Sequence, residues 1–103
     1  MVQMTQINSD RRLGKRFGVS LPVKTDRGSG VTRDVSISGL YLVTNERLVT
    51  GDRLRLVVEV PDVDRSFVRL GLKGRVVRVE DVDGAVGAAI AVDEESRSLL
   101  RAS

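Results

Sequence analysis

Apolar and polar residues alternate through much of the chain. In RLRLVVEV, residues 53–60, Leu54, Leu56, Val58 and Val60 share one face, the period of a strand buried on one side. FGVSLPV, residues 17–23, alternates likewise through Phe17, Val19, Leu21 and Val23. Pro22 cannot donate to a ladder and points to a strand end or edge. VTRDVS, residues 31–36, reads as a short strand, Ser38-Gly39 breaks it, and LYLVT, residues 40–44, starts another. SFVRLGLKGRVVRVE, residues 66–80, is too long for one flat strand. Val68, Leu70 and Leu72 line one face, Val77 and Val79 suit a shifted register, and Gly71 and Gly74 are expected to mark the bend or bulge between them. AVGAAIAV, residues 85–92, would turn Val86, Ala88, Ile90 and Val92 inward.

Turn chemistry separates these runs. DRGSG (residues 26–30), Thr50-Gly51-Asp52, PDVDR (residues 61–65) and DVDG (residues 81–84) are turns or loops by composition. The tail DEESRSLLRAS predicts a short helix, with Asp93 as its cap, Glu94 and Glu95 at the positive end of its dipole, and Leu99 and Leu100 docking it. About six short strands imply an all-β barrel or sandwich with a short C-terminal helix. Residues 1–16 read as a flexible leader and residues 17–103 as the folded domain, a length that suits one modest core.

Composition narrows the chemistry. The chain has no cysteine and no histidine, which excludes disulfides, thiolate metal sites, a serine–histidine triad and most zinc sites. No nucleophile–base pair can be assembled, so an enzyme is not expected. The polar start lacks the apolar core of a signal peptide, and no apolar run approaches a membrane span, so a cytoplasmic protein without membrane insertion is expected. The net charge of +3 is mild, but RRLGKR, residues 11–16, holds four basic residues and no acid, a plausible phosphate footprint.

Two motifs carry the candidate chemistry. Arg12-Leu13-Gly14-Lys15-Arg16 is an R-x-x-x-R preceded by Arg11, and Asp34-Val35-Ser36-Ile37-Ser38-Gly39 is a D-x-S-x-x-G. Taken singly, the first fits a solvated charge cluster. The second fits a turn, with Asp34 and Ser36 bonding nearby amides and Gly39 taking positive φ.

Together and in this order, the motifs resemble those of the PilZ domain. The likeness runs from about Arg11 to Val92 and includes GRVVRV, residues 74–79, and the small-residue strand AVGAAIAV. It implies a six-stranded antiparallel β-barrel that binds the bacterial second messenger cyclic di-GMP, with no further cofactor. It assigns Arg12 and Arg16 to an arginine clamp. A guanidinium fork can take phosphate oxygens or the O6/N7 edge of guanine. The Asp34 carboxylate would accept from the other guanine edge, Ser36 would add a hydroxyl, and Gly39 would let a ligand or neighbouring backbone approach closely.

The resemblance also ties the residue before R-x-x-x-R, here Arg11, to the number of ligands bound. A long cation there favours two stacked ligands and opens the way to a ligand-linked homodimer. Arg78 reads as an outward strand residue, with proximity to the ligand as the alternative. Ligand binding is expected to order the leader, and a chain without an output domain of its own implies a separate downstream effector protein. Two other readings stay open: a nucleic-acid-binding barrel, which the three aromatic residues Phe17, Tyr41 and Phe67 serve poorly, and a PilZ-like interaction module independent of nucleotide.

Overall fold

The computed structural model describes residues 16–64 and 66–100. Six strands form a closed antiparallel barrel: β1 (Pro22–Thr25), β2 (Gly28–Val35), β3 (Gly39–Thr44), β4 (Arg53–Pro61), β5 (Phe67–Val82) and β6 (Ala85–Leu100). Around the barrel the order is β1, β2, β3, β6, β5, β4, and β4 pairs back with β1 through Val23 opposite Val58. Closure leaves no long free edge on the barrel wall, which satisfies the backbone without a covering helix.

The alternating residues form the core as the pattern predicts. Leu54, Leu56 and Val58 of β4 and Ala88 and Ile90 of β6 are buried, and Val60, Val86 and Val92 pack against them. Leu42 is fully buried, a position worth roughly 1.5–3 kcal/mol of apolar burial. Pro22 begins β1, where its missing N–H costs least. The β5–β6 hairpin turns on Asp83 and Gly84, both with positive φ, as a two-residue hairpin of primed type requires.

The ends of the N-terminal run and the tail differ from the pattern. Phe17 and Val19 are exposed, and only Leu21 and Val23 of that alternating set reach the core. Residues 17–21 still follow β2, but a side chain does part of the work of a ladder. The buried Thr32 hydroxyl accepts the Leu21 N–H at 2.9 Å and donates to the Val19 carbonyl.

No helix occurs among the described residues, so the predicted C-terminal helix is corrected: β6 continues through Leu100. Ser98 pairs with Gly71, Leu99 with Leu70 and Leu100 with Arg69, giving partners to a stretch of β5 that would otherwise be an open edge. A helix this short is marginal in water, and the edge pairing is the better use of the backbone groups. Asp93 caps an arch instead of a helix. It accepts the Glu95 N–H at 3.1 Å, while the Ser96 hydroxyl accepts the Lys73 N–H at 2.8 Å. Leu99 and Leu100 stay exposed.

The pairing of β5 with β6 is irregular between Gly71 and Lys73, near the expected place, but the phase shift of β5 itself lies further along. Val76 opposes Ile90 and Arg78 opposes Ala89, so Val77 is the extra residue of a β-bulge. Val76 is therefore the inward residue and Val77 is exposed. Gly74 has another duty: a Cβ there would stand 2.6 Å from Cγ2 of Ile90, so its absence lets Ile90 fill the core.

Replacing Thr32 by Val keeps the volume but strands the buried Leu21 N–H. Urea unfolding should show a loss of about 1–3 kcal/mol. Thr32→Ser should retain more of the stability than Thr32→Val, because the hydroxyl remains.

Candidate functional site

Strict alternation along β2 would send Asp34 into the core, because Thr32 already points inward. A bulge prevents this. Thr32 opposes Leu42 and Asp34 opposes Tyr41, so Arg33 is an extra residue between them. Arg33 and Asp34 both lie on the outer face, and Val35 returns to pack against the core.

The bulge at Val77 does the same on β5, bringing Arg78 outward and returning Val79 to the core. The two bulged strands flank β3 and β6, and an open cleft of about 480 Å³ lies between them. Gly39, Ala89 and Ala91 form its low middle, and Arg16, Asp34, Arg78 and Glu80 are among its borders. That volume is in the range of small-molecule sites.

Arg16 is held at the rim by its neighbour. Phe17 and Val35 exchange backbone hydrogen bonds of 2.8 and 2.9 Å, which bring the chain alongside the end of β2. The Arg16 guanidinium then donates to Oδ1 of Asp34 from Nε at 3.0 Å and lies 2.8 Å from it through Nη2. The two motif residues thus meet directly.

The centre of the cleft holds a second polar group. Tyr41 sits on the outer face of β3, yet only 5% of it is exposed. Its hydroxyl donates to the Glu80 carboxylate, and the Arg33 guanidinium lies 4.7 Å from the centre of its ring. Burial is the main cause of a raised Tyr41 pKa, and the Glu80 hydrogen bond and charge add to it, while Arg33 and Arg78 pull it down. Three arginines face two carboxylates across the cleft, which leaves it net positive. Among the described residues no cluster of acidic side chains is placed to hold a metal ion.

Ser36 and Gly39 of the second motif are first of all structural. Ser36 closes the β2–β3 turn: its N–H donates to the Gly39 carbonyl at 2.8 Å and its hydroxyl to the same oxygen at 3.2 Å. Gly39 does not take positive φ. Its hydrogen-only side chain admits the neighbouring strand, since a Cβ would stand 2.5 Å from the Ile90 carbonyl oxygen. Ser38, rather than Ser36, lines the cleft. Arg11 and Arg12 lie outside the described residues.

Sequence reasoning missed Arg33, Ser38, Tyr41 and Glu80 as cleft residues, and it took Arg78 for an outward strand residue, which it is, without committing it to the site. A signal for Arg33 was present: two adjacent charges inside a strand, in VTRDV, fit a bulge better than a regular ladder.

The family model of the PilZ domain matches residues 9–103. The chain belongs to the PilZ domain family. That family is one of cyclic di-GMP-binding and adaptor domains. Among solved structures, this PilZ chain is similar to the Bacillus subtilis inhibitor of motility MotI/DgrA, with a TM-score of 0.73 and 17% identity. The match covers 84% of this chain and 44% of the other, so the PilZ chain spans less than half the length of that neighbour. At that identity the likeness concerns the fold. No curated protein matches the chain. The matched region begins ahead of the barrel, so the R-x-x-x-R segment falls inside the family domain.

Tyr41 is the sole tyrosine, so phenolate absorbance reports it alone. Its titration should lie above the ordinary value of about 10. Glu80→Gln should move it down without restoring it fully, because burial remains. The folded state holds this proton more tightly than the unfolded chain. Its contribution to stability is therefore complete below about pH 10 and lost as pH rises through the folded pKa. A titration at or below the ordinary value would contradict the described packing.

Proposed function

We propose that this chain is a cytoplasmic cyclic di-GMP receptor that uses the cleft between the two bulged strands and passes the signal to a separate partner protein. The observation that carries the proposal is the Arg16–Asp34 contact, which joins one residue from each motif at the rim of a net-positive cleft. The ligand carries two phosphates and two guanines. Arg16 can grip phosphate oxygens or guanine O6 and N7 as a planar fork, and Asp34 can accept from the guanine N–H edge.

The ion pair itself is cheap to replace. Half of the Arg16 side chain is exposed, and a pair of this kind is worth about 0–1 kcal/mol. A ligand that offers both partners better hydrogen bonds displaces it at little cost. The Ser36 hydroxyl donates to Gly39 yet keeps lone pairs free to accept from a ligand.

Arg12 completes the clamp in this reading, and Arg11 stacks on a guanine face and favours two ligands per domain, with homodimerisation as a consequence. Binding then orders the segment ahead of Phe17 against the barrel and creates the surface that the partner recognises.

Calorimetric titration with cyclic di-GMP tests this directly. Wild type should bind saturably with two ligands per domain. Arg16→Ala and Asp34→Ala should each weaken binding by about ten-fold or more, the loss expected for hydrogen bonds to charged groups. A wild type that gives no binding would retire the receptor reading. Amide exchange in residues 1–16 should slow at saturating ligand, and unchanged exchange would retire the ordering step alone.

A further inference from the structure

The outer face of β4 and β5 carries an arrangement that stability does not favour. Arg53 directly opposes Arg75, and Arg55 directly opposes Lys73. Like charges opposite one another in a sheet repel, and here two such pairs stand two residues apart. All four side chains are exposed. Among the described residues, none of them lies within ion-pairing distance of a carboxylate.

They border an open cleft of about 440 Å³ that reaches across to β6. Asp26 and Asp93 stand at its margins, Asp93 of β6 directly opposite Lys73 but outside ion-pairing distance, and each carboxylate accepts one backbone N–H. Asp26 accepts the Arg55 backbone N–H at 3.3 Å and Asp93 accepts that of Glu95 at 3.1 Å. This cleft and the one holding Arg16 and Asp34 share Ala91 alone.

We infer that this four-cation bay is a second binding site, which docks an acidic segment of a partner protein. Its geometry supports that occupant. Side chains on one face of a strand repeat about every 7 Å, and neighbouring strands lie about 5 Å apart, so the cations form two rungs of that spacing. An extended segment with acids at alternate positions repeats at the same interval. Three of the four cations are arginines, whose forks match carboxylates in bidentate fashion.

Nucleic acid and membrane fit less well. No aromatic residue borders the bay to stack on a base, and the marginal Asp26 and Asp93 would repel a uniform polyanion or an anionic bilayer surface. A protein segment can meet those two carboxylates with a cation or an amide of its own. The site does not rest on the receptor reading of the other cleft.

The test uses a fluorescent peptide of alternating glutamate and serine, a thymidine oligonucleotide, and vesicles containing phosphatidylserine. The comparison is wild type against the double variant Arg53→Glu, Lys73→Glu. That variant turns both β4–β5 pairs into attractive ones but places a like charge opposite Asp93 on β6, so it should fold with a Tm close to that of wild type. Wild type should bind the peptide saturably, more tightly than the oligonucleotide or the vesicles, and the double variant should bind it at least ten-fold more weakly. Cyclic di-GMP titration of the same variant separates the two sites, because its affinity for the nucleotide should not change. Absent peptide binding, equal binding by both proteins, or preference for the oligonucleotide or the vesicles would overturn the inference.

Discussion

A strand shows successive side chains to opposite faces, and one extra residue reverses that order for everything after it. The outer face of this barrel depends on two such reversals. At Arg33 the bulge keeps Asp34 out of the core and returns Val35 to it. At Val77 the bulge turns Arg78 outward and returns Val79. Without the first, a carboxylate would replace a valine inside a core that, among the described residues, holds no cation to pair with it, at a large desolvation cost. Without the second, the far border of the cleft would lose its arginine. The same local device therefore protects the core and builds the site.

The middle of the cleft is held low by small residues for reasons of packing. Gly39 has no Cβ because the backbone of β6 lies where one would be. Ala89 and Ala91 keep the neighbouring strand low. Gly87 leaves room for the Tyr41 hydroxyl, which a Cβ at that position would meet. Tyr41 in turn is covered by Arg33 and tied to Glu80, so an aromatic ring on the outside of the barrel is almost as buried as the core. The close approach of β3 and β6 and the shape of the site are one feature.

Charge is distributed unevenly over this frame. In the cleft beside β2 the arginines meet acids: Arg16 with Asp34, and Arg33 and Arg78 near Tyr41 and Glu80. On β4 and β5 the cations face each other. The net charge of +3 hides this division, because acids elsewhere on the surface balance much of the basic excess. A mild average charge is compatible with strongly basic local surfaces.

Read alone, the sequence shows an all-β barrel or sandwich, the inward residues of β4 and β6, a turn at residues 81–84, and Arg16 and Asp34 as residues of two candidate motifs. Each of these rests on local periodicity, turn chemistry or a short motif. Tertiary structure alone decided the rest. The tail DEESRSLL has helix-start residues, but β5 offered it an unpaired edge, and pairing across the sheet outweighed a short helix. The ladder between β5 and β6 shifts between Gly71 and Lys73, as the glycines suggested, but the change of face in β5 fell at Val77, because register is set by the partner strand β6 and not by the residues of β5 alone. Tyr41 and Glu80, 39 positions apart, meet only because β3 and β5 flank β6. Periodicity assigns a residue to a face; which distant residues share that face depends on the order in which the strands close the barrel.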